Sequence, residues 1–192
     1  MKEVVKKGGG MNLANYLTVT RMVLIPILVV VLIFPFKYRD LTGAVIFLAA
    51  ALTDLFDGYI ARRRGYVTRL GRILDPIADK LLISSALISL VALGRAPAWM
   101  VVIILGREFA ISGLRSVAIS EGIDLSPSFL GKSKMTAQGA TIFVLILGEE
   151  TLGYLYVLGM VGLWMVMMLS IVSALDYVIK FTRAISKIPQ NG

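Results

Sequence analysis

DLFDGYIARRRGYVTRLGRILDPIAD, residues 54–79, sets four aspartates and a run of arginines between two segments apolar enough to cross a bilayer. Asp54 and Asp57 stand three apart near the end of the apolar run 41–60, and Asp75 and Asp79 stand four apart where the run 77–93 begins. Both spacings place a pair on one helical face. A carboxylate at membrane depth is costly unless it meets a cation or lines a wet cavity, so four together predict a site. A loop of about a dozen residues is expected between the two helices, letting them lie antiparallel with the carboxylates facing each other. Two hard divalent ions shared among four carboxylates would neutralise the charge and leave positions open for phosphate oxygens.

Working outward, hydrophobic residues make up 57% of 192 positions and the mean hydropathy is +0.83, far above what a soluble domain of this length needs. The expected class is all-α, a polytopic integral membrane protein. Lys and Arg number 20 against 12 acidic residues. The excess lies between apolar spans, so membrane topology accounts for it better than nucleic-acid binding does. Cysteine and histidine are absent, which excludes disulfides, thiolate nucleophiles, imidazole bases and the usual zinc or haem ligands. A metal held by this chain must be held by oxygen, which favours Mg2+ or Mn2+.

Apolar stretches run over 17–34, 41–60, 77–93, 99–114, 135–147 and 153–179, each near the ~20 residues of a spanning helix. Six spans put both termini on one side. The fifth is the shortest, with Glu149 and Glu150 close behind it. Basic residues accumulate on the cytoplasmic side. The leader, the 62–72 loop, Lys132 with Lys134, and the 180–187 tail share one face of this layout, while Lys37, Arg39 and Arg95 fall on the other. The first face is therefore read as cytoplasmic. Residues 1–10, with a glycine run before Met11, read as a loose leader or alternative start; 11–188 read as one transmembrane domain.

Each part of the central stretch also has an ordinary reading. Asp75 followed by Pro76 suits a helix N-cap with proline at the first helical position. Asp54 and Asp57 alone suit an ion pathway, Arg62 to Arg64 suit topology signals, and Gly58 and Gly71 suit packing. None of these explains the set. The spacing DxxDGxxAR(x8)GxxxDxxxD, from Asp54 through Asp57, Gly58, Ala61, Arg62 and Gly71 to Asp75 and Asp79, resembles the signature of the CDP-alcohol phosphatidyltransferase family at every fixed position. That resemblance implies six transmembrane helices around a cytoplasm-facing polar cavity, in a homodimer, and transfer from a CDP-linked donor to a hydroxyl acceptor with release of CMP. It implies that Asp54, Asp57, Asp75 and Asp79 bind two metal ions and that Asp79 is also the general base. It further implies that Gly58, Arg62, Thr68 and Gly71 contact the CDP moiety, with Asn15 and Thr18 where the first helix begins.

The acceptor must be read elsewhere. Arg107 and Arg115 lie about two turns apart on the fourth span, and Lys132 and Lys134 precede the fifth. Converging basic groups suit an acceptor with its own phosphate, whereas the plain alternative pairs Glu108 with Arg107 and leaves the others at the interface. The stretches NYLTVTR, LDPIADK and GREFAISGLR resemble the branch of the family that joins CDP-diacylglycerol to sn-glycerol 3-phosphate, over 11–177. On that resemblance Arg107, Arg115, Lys132 and Lys134 bind the acceptor's phosphate. Two rivals stand beside it. One is a sibling transferase taking inositol phosphate, serine or phosphatidylglycerol. The other is a divalent-cation transporter, which would spread its carboxylates through the bilayer depth rather than cluster them at one end.

Overall fold

The computed structural model describes residues 13–64, 69–121 and 129–185, with the side chains of 13–15, 17, 54–64, 69–73, 129–133 and 185 outside that description. The leader 1–10 and Thr68 lie outside the described residues altogether. Those described form six α-helices and no strand: α1 (Leu13–Ile33), α2 (Arg39–Arg64), α3 (Arg69–Ala92), α4 (Ala98–Ser120), α5 (Phe129–Leu152) and α6 (Tyr156–Ile185), with a short 3-10 turn at Gly153–Leu155. The all-α expectation holds. The chain divides into two compact units, 1–89 and 90–192.

Two expectations about the central stretch are corrected. α3 begins at Arg69, so Asp75 is no N-cap and Pro76 lies inside the helix. The connection between α2 and α3 is also short, residues 65–68, because α2 runs on through Arg64. Proline removes one helical donor and crowds the preceding turn, yet the helical pattern of arginines, leucines and Ile73 extends across it.

In the first unit α1 packs along α2. The buried stripe of α1 is Thr18, Arg21, Ile25, Leu28 and Leu32, a 3-4-3-4 spacing that keeps one face inward. α2 turns Ala44, Phe47 and Ala50 inward, and α3 buries Ala78, Leu82 and Ala86. Small residues at these positions let helix backbones approach where lipid supplies no hydrophobic drive.

In the second unit α6 packs against both α5 and α4. The Trp99–Trp164 edge contact at 5.6 Å and the Arg107–Ser173 hydrogen bond advance together along α4 and α6, so these helices run parallel. α5 runs the other way: a Cβ placed on Gly159 would sit 2.8 Å from Leu145, and one on Gly162 would sit 2.5 Å from the Thr141 hydroxyl. α5 breaks its helical path at Gly148 (φ 71°, ψ 171°). There Arg95 Nη1 donates to the carbonyl of Ile146 at 2.7 Å, filling an acceptor that the broken turn leaves without its own N–H.

Polarity is arranged inside out. Val23, Val30, Val102, Ile119, Leu158 and Val172 are exposed, while Arg21, Lys134, Gln138, Ser170 and Ser173 are buried. That is the arrangement expected where the solvent is hydrocarbon. By length and composition, one stretch among the described residues can cross a membrane by itself, Lys134–Ala184, and Thr18–Ile33 is a shorter apolar helix.

Candidate active site

The signature aspartates lie in the first unit and the candidate acceptor cations in the second. In the first, the end of α2 carries Asp54, Asp57, Gly58 and Arg62, and α3 carries Gly71, Asp75 and Asp79. All seven are thus helical positions. The side chains of Asn15, Asp54, Asp57, Gly58, Arg62 and Gly71 are outside those described. Among the described residues no group of three or more potential ligands converges. Asp75 and Asp79 lie one turn apart on α3, both half-buried, flanking the fully buried Ala78. Thr18 of α1 donates its hydroxyl to Asp75 Oδ1 at 2.5 Å. A hydroxyl donor held in a buried stripe fixes the orientation of a carboxylate, as outer partners of metal ligands commonly do.

Sequence reasoning left Arg21 without a role. It lies three residues beyond Thr18 on the same buried face and is 0% exposed. The signal was present, since a charged residue within an apolar span is a functional candidate by default.

In the second unit, Glu108 Oε1 accepts hydrogen bonds from Lys134 Nζ and from Arg107 Nη1, the latter at 3.4 Å. The other end of the Arg107 guanidinium donates to Ser173 on α6. Lys134 is 1% exposed. The ordinary pairing of Glu108 with Arg107 is present, but Glu108 also holds a second, deeper cation. One carboxylate against two cations leaves the group positive. Arg115, two turns on, is exposed and lies over the ring of Tyr177 at 6.0 Å, within cation–π reach. The structure thus brings Arg107 and Lys134 together and sets Arg115 apart; the Lys132 side chain is outside the described residues. Arg107 Nε, Gln138 Nε2 and Tyr177 Oη are buried without a hydrogen-bond partner among the described residues. Ser173, Tyr177 and Gln138 were invisible to sequence reasoning because a single Ser, Tyr or Gln in an apolar run shows nothing until its neighbours are known. Asp176 makes an exposed i,i+4 pair with Lys180 at 2.7 Å, worth little in stability.

An aspartate signature carried by α2 and α3, in a chain whose helices bury charge and expose apolar surface, is the arrangement expected of an enzyme acting on lipid-borne phosphates. The chain belongs to the CDP-alcohol phosphatidyltransferase family, whose model matches residues 11–173. That family is membrane-associated and generally metal-dependent, and the enzyme is a transferase. The chain is 39% identical over 181 residues to the CDP-diacylglycerol--glycerol-3-phosphate 3-phosphatidyltransferase of Bacillus subtilis (strain 168), covering 86% of this chain and 93% of that one. It is 36% identical over 168 residues to the protein of the same name from Rickettsia bellii (strain RML369-C), with the same shares covered. The probable phosphatidylglycerophosphate synthase of Mycobacterium tuberculosis (strain CDC 1551 / Oshkosh) is 38% identical over 184 residues, covering 94% of this chain and 87% of its own.

Proposed function

We propose that this chain transfers the phosphatidyl group of CDP-diacylglycerol to sn-glycerol 3-phosphate, forming phosphatidylglycerophosphate and CMP. The donor half rests on the complete Asp54-to-Asp79 signature. The acceptor half is carried by one observation: Lys134, buried, and Arg107, half-buried, are held against the single carboxylate of Glu108. A buried cation in excess is costly in an apolar setting, and a phosphate-bearing acceptor is the ligand that repays it. Arg107 presents a planar fork to phosphate oxygens and Lys134 a point charge. Arg115 and Lys132 add charge toward the cytoplasmic end.

The donor set fits a metal. Carboxylates at i,i+3 and i,i+4 spacing, with Asp75 oriented by Thr18 and with no histidine or cysteine in the chain, form an all-oxygen site of the kind Mg2+ and Mn2+ prefer. Asp54, Asp57, Asp75 and Asp79 would hold two ions, which when bound polarise the diphosphate and offset charge on the departing CMP. Asp79 takes the proton of the acceptor's primary hydroxyl. That oxygen then bonds to the lipid-side phosphorus as the bond from this phosphorus to CMP breaks. Arg62 grips the diphosphate, and Gly58, Gly71, Thr68, Asn15 and Thr18 border the cytidine nucleotide. The inside-out polarity of both units supports six membrane-spanning helices, the basic connections support a site facing the cytoplasm of the cell membrane, and the family resemblance is what supports a homodimer.

The test is CMP release by the purified protein in detergent, given CDP-diacylglycerol and Mg2+ or Mn2+, with glycerol 3-phosphate, inositol phosphate, serine or no acceptor in parallel. CMP formation that depends on glycerol 3-phosphate supports the reading. Preference for another acceptor keeps the donor half and rejects the acceptor half. Absence of CMP with every acceptor, in folded and metal-loaded protein, rejects both.

A further inference from the structure

Gln138 is 4% exposed, and its Nε2 has no hydrogen-bond partner among the described residues. Buried amides between membrane helices ordinarily bond across to a neighbouring helix. Hydroxyls of α5 and α6 bond to other groups. Thr141, one turn along α5, donates to the carbonyl of Ala137 at 2.8 Å. Ser170 of α6 donates to that of Val166 at 2.7 Å. Ser173 accepts from Arg107.

Position makes the unsatisfied amide informative. On α5, Gln138 lies four residues beyond Lys134, which meets Glu108 of α4, and three before Thr141, which lies against Gly162 of α6. Contacts to α4 and α6 therefore bracket it within one turn on either side, so its face of α5 is the face turned to both helices. The polar groups descend in order. Arg115 and Tyr177 are outermost, Arg107, Glu108, Lys134 and Ser173 form the next level, and Gln138 lies about 6 Å beyond Lys134 along the helix axis. An acceptor whose phosphate meets Arg107 and Lys134, with its carbon chain running inward along α5, comes within reach of Gln138. An amide both donates and accepts, which is what a hydroxyl requires of a partner.

We propose that Gln138 is a specificity-determining residue of the acceptor subsite, its amide hydrogen-bonding the secondary hydroxyl of glycerol phosphate, the hydroxyl that does not react. The inference rests on the acceptor reading above and adds to it the part of the acceptor that is read. Loss of the secondary hydroxyl leaves the amide buried and unpaired in the complex, and sites built to bond a hydroxyl reject analogues that lack it.

The experiment pairs a change in the ligand with a change in the residue. kcat/KM is measured for the full-length protein in detergent with CDP-diacylglycerol and Mg2+, using glycerol 3-phosphate or 3-hydroxypropyl phosphate. The second acceptor keeps the phosphate and the primary hydroxyl and lacks the secondary one. The wild-type protein is expected to favour glycerol 3-phosphate by roughly 10- to 100-fold. Gln138→Met is expected to abolish that preference through loss on glycerol 3-phosphate alone. Equal use of the two acceptors by the wild-type protein overturns the proposal without any variant, so a poorly folding Gln138→Met cannot shield it. Equal loss on both acceptors in the variant overturns it as well, assigning Gln138 to packing. If the wild-type protein releases CMP with neither phosphate but does so with serine, the acceptor reading itself has failed, an outcome distinct from the other two.

Discussion

Asp79→Asn changes shape little and removes the group assigned to take the acceptor's proton. Turnover should fall by roughly 10²- to 10⁴-fold, while CDP-diacylglycerol binding, shared with Arg62 and the other carboxylates, changes far less. CMP release measured beside displacement of a bound cytidine nucleotide separates the two, and near-normal turnover in a purified sample would remove the base assignment. The cations should split differently. Arg115 is exposed and lies over Tyr177, so Arg115→Ala should raise KM for glycerol 3-phosphate roughly 10-fold and leave thermal unfolding nearly unchanged. Lys134 is buried against Glu108, so Lys134→Met removes the excess buried cation, leaves Glu108 matched by Arg107, and should raise the unfolding temperature while lowering acceptor affinity. Equal unfolding temperatures for the two variants would contradict the difference in burial. Asp54, Asp57, Asp75 and Asp79 stand out in the sequence as candidates because carboxylates are rare in apolar helices and their spacing is local. The roles of Arg21, Ser173 and Gln138 depend on which helix lies opposite, and spacing along one helix does not carry that.

Helix existence was legible from apolar runs, and helix ends were not. The Asp75–Pro76 pair has the chemistry of a helix start, yet α3 begins at Arg69. Arg69 and Arg72 break the apolar run without breaking the helix, because arginine is a good helix former whatever its hydropathy. α5 and α6 give a sharper test of packing. Gly162 faces Thr141 so closely that an added Cβ would sit 2.5 Å from its hydroxyl, whereas Gly139, on α5, has nothing within 4 Å. Gly162→Ala should therefore destabilise the protein by about 1–3 kcal/mol through forced separation of the helices. Gly139→Ala should be neutral or stabilising by up to about 1 kcal/mol, since alanine restricts the unfolded chain. Thermal unfolding in one detergent measures both, and a destabilisation by Gly139→Ala equal to that of Gly162→Ala would refute the close approach of α5 to α6.

The alternation of apolar spans with basic connections made the membrane class legible from the whole chain, but the fifth span was the uncertain element, short and followed by Glu149 and Glu150. Its geometry supports a crossing. α5 is helical from Phe129 until Gly148 turns the backbone aside, a rise of roughly 28 Å at 1.5 Å per residue, close to the ~30 Å hydrocarbon core. The break falls where the acidic pair begins, and Arg95 donates to the carbonyls of Ile146 and, at 3.4 Å, Leu145 at that end, so these two acceptors of the broken turn are satisfied rather than left to lipid. A chain without cysteine is a ready background for mapping the consequence with single substitutions and a membrane-impermeant maleimide. Lys37→Cys and Glu150→Cys should label in intact cells, and Arg63→Cys and Lys187→Cys only after permeabilisation. The four positions are coupled. If α5 failed to cross while α6 did, Glu150→Cys would become protected and Lys187→Cys would become labelled together, with Lys37→Cys and Arg63→Cys unchanged. That paired reversal would leave the Asp54-to-Asp79 cluster on the cytoplasmic side and would reverse α6 relative to the bilayer. Protection of Glu150→Cys without labelling of Lys187→Cys would instead mean that α5 and α6 enter and return from one side. Labelling of Arg63→Cys in intact cells would be the most damaging result, because it would put the arginine-rich end of α2 opposite the compartment that supplies a soluble, phosphate-bearing acceptor.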